Sequence, residues 1–270
     1  MERRKRVRGV DRTDEKVFLL DVGNTCVTYA RPQKNGGVTR PTSITIEKGY
    51  IEPLKRRIPE GSVIVLASVN PKVSTRIETE FKGENVSVFV FRRDFKVEMP
   101  VLLDKPEEVG ADRLLNALAA YRRFGASVVV DCGTANTFDV VSPKGEYLGG
   151  AITPGIRISF KALATWTALL PDTKPISAPP LVGKNTRQAM SSGVVYGTAA
   201  MIDGMLMRYK KELPFRFTAV ATGGASALVI PYCLTKLLHI PTLSLEGLYI
   251  AYKESEERRG RDTLARAGRK

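Results

Sequence analysis

Short apolar runs rich in β-branched residues dominate the first hundred positions. Val17–Leu20, Cys26–Tyr29, Ser43–Ile46, Val63–Ala67 and Val86–Phe91 each predict a strand, and turn formers such as Pro32-Gln-Lys-Asn-Gly-Gly37 and Pro59-Glu-Gly61 separate them. The period then changes. Apolar residues at 114, 115, 118, 121 and 124 recur at helical spacing, and Gly125 is a natural stop. Strands restart at Val128–Val130 and Phe138–Val141, followed by a glycine-rich strand end, Gly149-Gly-Ala-Ile-Thr-Pro-Gly155. Helical text covers Ile156–Leu170, a proline-rich loop intervenes, and a long helix is expected over Ser192–Tyr209. A strand at Phe217–Ala221 and a closing segment at Leu243–Tyr252 complete the pattern.

Two of the strand ends share one design. Phe18-Leu-Leu-Asp21-Val-Gly23-Asn24-Thr25 and Val128-Val-Val-Asp131-Cys-Gly133-Thr134-Ala-Asn-Thr137 are apolar runs that end in Asp-x-Gly and then turn polar. Such a tight turn offers backbone N–H and hydroxyl groups to an anion. Two of them across a cleft would hold a triphosphate from both sides, with the carboxylates organising its cations. Each is followed directly by another β-rich run, so it is a hairpin and not the strand-to-helix opening of a dinucleotide fold, which argues against a Rossmann domain. Thr222-Gly223-Gly224-Ala-Ser226 has the look of a third, nucleotide-side glycine loop. Asp112, at the start of the helix that runs to Phe124, either caps that helix or points into the cleft above it.

Composition narrows the function class. The 270 residues are 43% hydrophobic and 26% charged, ordinary for a globular protein. No apolar stretch approaches the roughly 20 residues a membrane span requires, and the basic N-terminus lacks the apolar segment of a secretory signal, so a cytoplasmic protein is expected. Net charge is +14, but much of the excess lies in the two termini, where acids are interleaved and aromatics for base stacking are scarce. Specific nucleic-acid binding is therefore not expected. Cys26, Cys132 and Cys233 are too dispersed for a zinc site or a disulfide framework and read as free thiols, although Cys26 and Cys132 fall inside the two turns. His239, the only histidine, sits in apolar text and does not suggest a catalytic triad.

Taken in order, Asp21-Val-Gly-Asn-Thr25, Gly110-Ala-Asp-Arg113, Asp131-Cys-Gly-Thr-Ala135, Gly149–Gly155 and Gly183-Lys-Asn-Thr186 resemble the type III pantothenate kinases. Ser68-Val-Asn-Pro71, Thr222-Gly-Gly224 and Leu245-Glu-Gly-Leu248 are similar to that family too, so the likeness runs from about Val17 to Ala251. The resemblance implies an α/β fold of two duplicated ribonuclease H-like (actin-like ATPase) domains with a cleft between them. The expected divisions are a basic extension at 1–16, halves at 17–118 and 119–252, and a basic tail at 253–270.

It further implies ATP-dependent phosphorylation of pantothenate to 4′-phosphopantothenate, the first step of coenzyme A synthesis, by a homodimer. Asp112 would be the general base, within a pantothenate pocket formed by Gly110, Ala111, Asp112, Arg113 and Leu103. Leu103 stands where many relatives carry Tyr, which touches substrate affinity more than catalysis. Thr186 would contribute a substrate contact at the dimer interface, or else simply cap its helix. ATP would lie against Asp21, Val22, Gly23, Asn24, Thr25, Cys26, Val27 and Thr28, against Gly133 and Thr134, and near Gly223 and Gly224. Asp21 would organise Mg²⁺, possibly through water, and Asp131 would bind a monovalent cation, K⁺ or NH₄⁺. Two other readings remain: a non-catalytic regulator of the same fold, and a kinase for another small alcohol. Loss of Asp112, Asp131 or the glycine turns would mark the regulator, and all are present.

Overall fold

The computed structural model describes residues 16–34 and 36–267, with side chains to Arg261. The N-terminal basic extension, up to residue 15, and the last three residues of the C-terminal tail lie outside the described residues. The described chain folds into two compact units: residues up to 98, 108–119 and those from 242 onward form one, and residues 99–107 and 120–241 the other.

The first unit is built on a five-stranded mixed sheet of β1 (Val17–Val22), β2 (Cys26–Ala30), β3 (Thr42–Thr45), β4 (Val63–Ser68) and β5 (Ser87–Val90), in the order β3-β2-β1-β4-β5. β1 pairs antiparallel with β2 and parallel with β4, so it lies at the centre, with Val17 to Leu20 all buried. Alternation explains both faces. Phe18, Leu20 and Val22 of β1 and Ile64 and Leu66 of β4 form one core with α1 (Ile51–Lys55) and α2 (Pro71–Phe81). α2 has a legible start that the strand pattern obscured: Asn70 accepts from the Val73 N–H, Pro71 takes the first helical position, and Val73, Ile77 and Phe81 are buried at helical spacing.

The unit is completed by the first nine residues of α3 (Ala111–Phe124) and by the last helix of the chain, which packs on β1 and β4. Gly247 of that helix lies against α3. A Cβ there would meet the Leu115 carbonyl oxygen at 2.0 Å, so only glycine permits the approach. The helix spans Leu243–Ala267, past the expected end at Tyr252. Its packing draws the chain from residue 242 onward into the first unit, which is discontinuous in sequence.

The second unit carries the five strands β6 (Ser127–Cys132), β7 (Ala135–Val141), β8 (Tyr147–Pro154), β9 (Thr218–Thr222) and β10 (Leu238–His239), in the order β10-β9-β6-β7-β8. β6 pairs antiparallel with β7 and parallel with β9, repeating the first sheet's strand order and directions. Val128, Val130, Phe138 and Val140 pack on α4 (Ile156–Trp166) and α5 (Thr186–Glu212), with α6 (Ser226–Val229) beside them. The final helix, Leu243–Ala267, is α7. Fold class is thus α/β with two mixed five-stranded sheets.

Candidate active site

Within the first unit, Asp21 ends β1 on the same face as Leu19, where α7 packs. The Ser244 hydroxyl at the start of α7 donates to Asp21 Oδ2 at 2.8 Å. Burial pushes the Asp21 carboxyl from 3.8 up to about 6; the Ser244 bond opposes this and the charge of Asp112 adds to it. The two aspartates therefore share one neighbourhood. The turn that follows is closed by Gly23 N–H on the Cys26 carbonyl at 3.0 Å and tied to the sheet by Ile46 N–H on the Thr25 carbonyl at 3.0 Å. Asn24 is exposed and Gly23, Thr25, Cys26 and Thr28 are partly so, while the side chains of Val22 and Val27 are buried in the core. Any contact those two valines make with a ligand would have to come from backbone.

Asp112 sits in the first turn of α3. Its Oδ1 accepts from the Arg113 N–H at 2.9 Å, engaging one donor of that turn. A Cβ on Gly110 would fall 2.5 Å from Asp112 Oδ1, which means the carboxylate leans back over Gly110. Ala111 is buried and Arg113 half-buried. Arg92 was not found from the sequence. It follows β5 with φ of 73°, and its guanidinium donates to the Val109 carbonyl, just ahead of Asp112. A left-handed arginine has no local sequence signal, because Gly, Asn or Asp would be expected there.

In the second unit, the β6–β7 turn is closed by Gly133 N–H on the Ala135 carbonyl at 3.1 Å. Thr134 is exposed, and its carbonyl receives the Gly155 N–H at 3.2 Å. Gly223 adopts φ of 92°, and a Cβ there would meet Asp131 Oδ1 at 2.3 Å and the Cys132 carbonyl at 2.6 Å. The glycine loop after β9 thus lies directly on the Asp131 turn, bringing Asp131, Gly133, Thr134, Gly223 and Gly224 together. Ser226 holds that loop by donating to the Gly223 carbonyl at 2.5 Å, and its Oγ lies 2.8 Å from His239 Nε2. The lone histidine, read from sequence as sitting in apolar text, therefore braces a glycine loop.

Leu103 is half-buried beside Gly149. The cap of α5 is Asn185, which accepts from the Gln188 N–H at 2.9 Å, and Thr186 is the exposed first residue of the helix. The capping alternative for Thr186 is thereby corrected: the side chain one position earlier already satisfies that donor. Burial pushes the Cys132 thiol up to about 12, with Asp131 adding to the shift, and Cys233 up to about 11. Neither is a nucleophile near neutral pH.

The raised Asp21 carboxyl makes a stability prediction. Its folded value lies above its unfolded one, so the folded state holds the proton more tightly. The penalty for ionisation is full above about 6 and fades as pH falls towards 4. Asp21→Asn, which keeps an acceptor for Ser244, is expected to stabilise the ligand-free protein by on the order of 2 kcal/mol at pH 8, a gain that shrinks towards pH 4. Denaturant titrations across that range read it out. A pH-independent effect would show that Asp21 is not held protonation-sensitive by its surroundings.

The fold, two mixed five-stranded sheets flanked by helices, is shared with solved proteins of low sequence identity. A Sinorhizobium meliloti protein described as a 2-dehydro-3-deoxygalactonokinase superposes with a TM-score of 0.51 at 13% identity, covering 88% of this chain and 98% of that one. A Campylobacter jejuni protein assigned to the Baf family of transcriptional activators superposes at 0.60 with 20% identity, over 89% and 99%. Both likenesses speak for fold alone.

Sequence relatives go further. The type III pantothenate kinase family matches residues 17–208. A type III pantothenate kinase of Myxococcus xanthus is 43% identical over 206 residues, covering 75% of this chain and 78% of the relative. One from Moorella thermoacetica is 41% identical over 71% and 76%. That of Rhodococcus jostii is 46% identical, with 60% of this chain matched to 62% of the relative's length. The chain belongs to the type III pantothenate kinase family. It is a phosphotransferase whose reaction is the phosphorylation of pantothenate in coenzyme A synthesis.

Proposed function

We propose that Asp112 is the general base of this reaction, with Gly110, Ala111, Arg113 and Leu103 shaping the acceptor site and Thr186 reaching it from a second subunit. The observation that carries the reading is the convergence of Asp112 and Asp21 at the ends of α3 and β1. A carboxylate beside the acceptor alcohol takes its proton late in a loose phosphoryl transfer, so placement matters more than basicity. Arg113 is suited to the pantothenate carboxylate because guanidinium matches planar anions.

Asp21 and the two Asp-x-Gly turns belong to ATP in this reading. The residues fit Mg²⁺ at Asp21: a carboxylate whose proton affinity is raised by burial and by the charge of Asp112 suits a hard ion that completes its shell with water and phosphate. When bound, Mg²⁺ would neutralise charge developing on the transferred phosphoryl group. Asp131 at its strand end, with the Cys132 carbonyl and Gly223 crowded against it, supports an oxygen-liganded K⁺ or NH₄⁺. The matching strand orders support descent of the two sheets by duplication. The expected cleft belongs to the same proposal, supported by the pair of matching turns.

A homodimer fits the open groove of about 610 Å³ lined by Ile158, Trp166, Gly193, Gly197 and Met201, where Trp166 is 85% exposed. A cytoplasmic location fits the metabolic role; among the described residues no helix is long and apolar enough to cross a membrane.

A coupled assay with ATP and pantothenate, run with and without K⁺ and against glycerol and simple sugars, tests the reading. Turnover confined to pantothenate and raised by K⁺ is expected from a protein that sediments as a dimer. Equal turnover on the other alcohols would transfer the assignment to a different acceptor, and a sedimenting monomer would remove Thr186 from the site.

A further inference from the structure

The segment after β5 is held by more bonds than an ordinary surface turn. Arg92 N–H donates to the Phe95 carbonyl at 2.7 Å, Arg93 and Asp94 N–H both reach the Val90 carbonyl, and Asp94 Oδ2 accepts from Val90 N–H at 2.7 Å. Arg93 bridges Asp94 and Glu78, and Arg259 of α7 donates to the Asp94 carbonyl. Inside this frame Arg92 keeps a backbone conformation that costs a non-glycine residue on the order of 1 kcal/mol or more. Glycine would adopt the turn more easily, so the side chain is what the conformation serves.

That side chain is half-buried, stacked 5.9 Å from the Phe91 ring centroid, and its guanidinium donates to the Val109 carbonyl. Val109 is itself buried, and Gly110 begins α3 by accepting from Leu114 N–H. The guanidinium therefore pins the residue just ahead of a glycine, where the chain would otherwise swivel most freely, two positions short of Asp112. Burial makes the cation harder to keep charged, and the negative charge of Asp112 offsets this.

We propose that Arg92 is a positioning residue for the acceptor site: by clamping the Val109 carbonyl it sets the Gly110–Arg113 segment so that Asp112 meets the acceptor hydroxyl. The proposal rests on the reading of Asp112 as the base. Its loss acts on geometry during transfer and leaves the nucleotide's own contacts alone.

The test compares Arg92→Gly, Arg92→Lys and Asp112→Asn in the full chain, reading kcat, KM for each substrate and melting temperature. Arg92→Gly relieves the left-handed strain, so it is expected to melt no lower than the parent while kcat falls about 10- to 100-fold, the scale of a small misplacement of reacting groups, with KM for ATP unchanged. Arg92→Lys keeps a donor able to reach Val109 and is expected to recover several-fold over the glycine variant; guanidinium ion at low millimolar concentration should partly rescue Arg92→Gly. Unchanged kcat in Arg92→Gly, or a loss that neither lysine nor guanidinium improves, overturns the clamp. Should Arg92→Gly melt lower, the same lysine and guanidinium comparisons decide. Should Asp112→Asn keep full activity, the base assignment fails separately, whatever the Arg92 variants do.

Discussion

Asp112→Asn is expected to lower kcat by about 10²- to 10⁴-fold, the range a positioned general base contributes, while ATP affinity stays within about twofold. Asn keeps an acceptor for the Arg113 N–H that Asp112 Oδ1 now receives at 2.9 Å, so the first turn of α3 retains its bond and the fold is spared. What is removed is the capacity to take a proton. The removal also relieves Asp21, because the charge of Asp112 contributes to its raised pKa. Nucleotide-side carboxylate chemistry should therefore improve slightly while transfer collapses. Single-turnover phosphorylation with titration calorimetry for ATP separates the two. Full turnover in the variant would reduce Asp112 to its bond with the Arg113 N–H in the first turn of α3.

Gly223→Ala is expected to weaken ATP binding at least tenfold and to cost more than about 2 kcal/mol of stability. Two penalties combine. The residue has φ of 92°, outside the range L side chains ordinarily adopt, and the new methyl would stand 2.3 Å from Asp131 Oδ1 and 2.6 Å from the backbone carbon and oxygen of Cys132. The Asp131 carboxylate could swing aside, but backbone of the central strand β6 cannot, since β7 and β9 bond it on both edges. Thermal melting with nucleotide titration would reveal it. A variant with parental melting temperature and ATP affinity would show that the loop after β9 is free to lift from the Asp131 turn, and would remove Gly223 from the nucleotide site.

Gly223 also shows how the chain's own text and its folded form divide the information. Its loop was legible as a glycine turn, because Thr-Gly-Gly after an apolar strand needs little context. Its partner was not: β9 reaches β6 from far along the chain, and only that parallel pairing sets Gly223 over Asp131. Likewise Asn70-Pro71 and the buried spacing of Val73, Ile77 and Phe81 spell a capped helix, yet the strand-like text on either side of it masks the change of period.

Local order in the sequence determined the strands, the two Asp-x-Gly hairpins, the amphipathic face of α3 and the family, because each depends on residues a few positions apart whose periodicity and turn chemistry act within a single element. Only the tertiary structure decided that Ser244 meets Asp21 across 223 positions, that α7 completes the first unit through Gly247, and that a left-handed Arg92 holds the approach to Asp112. Those facts depend on which buried faces find one another. Hydrophobic pattern says that a face must be covered; it is packing that selects which distant segment covers it, and which polar groups are carried there with it.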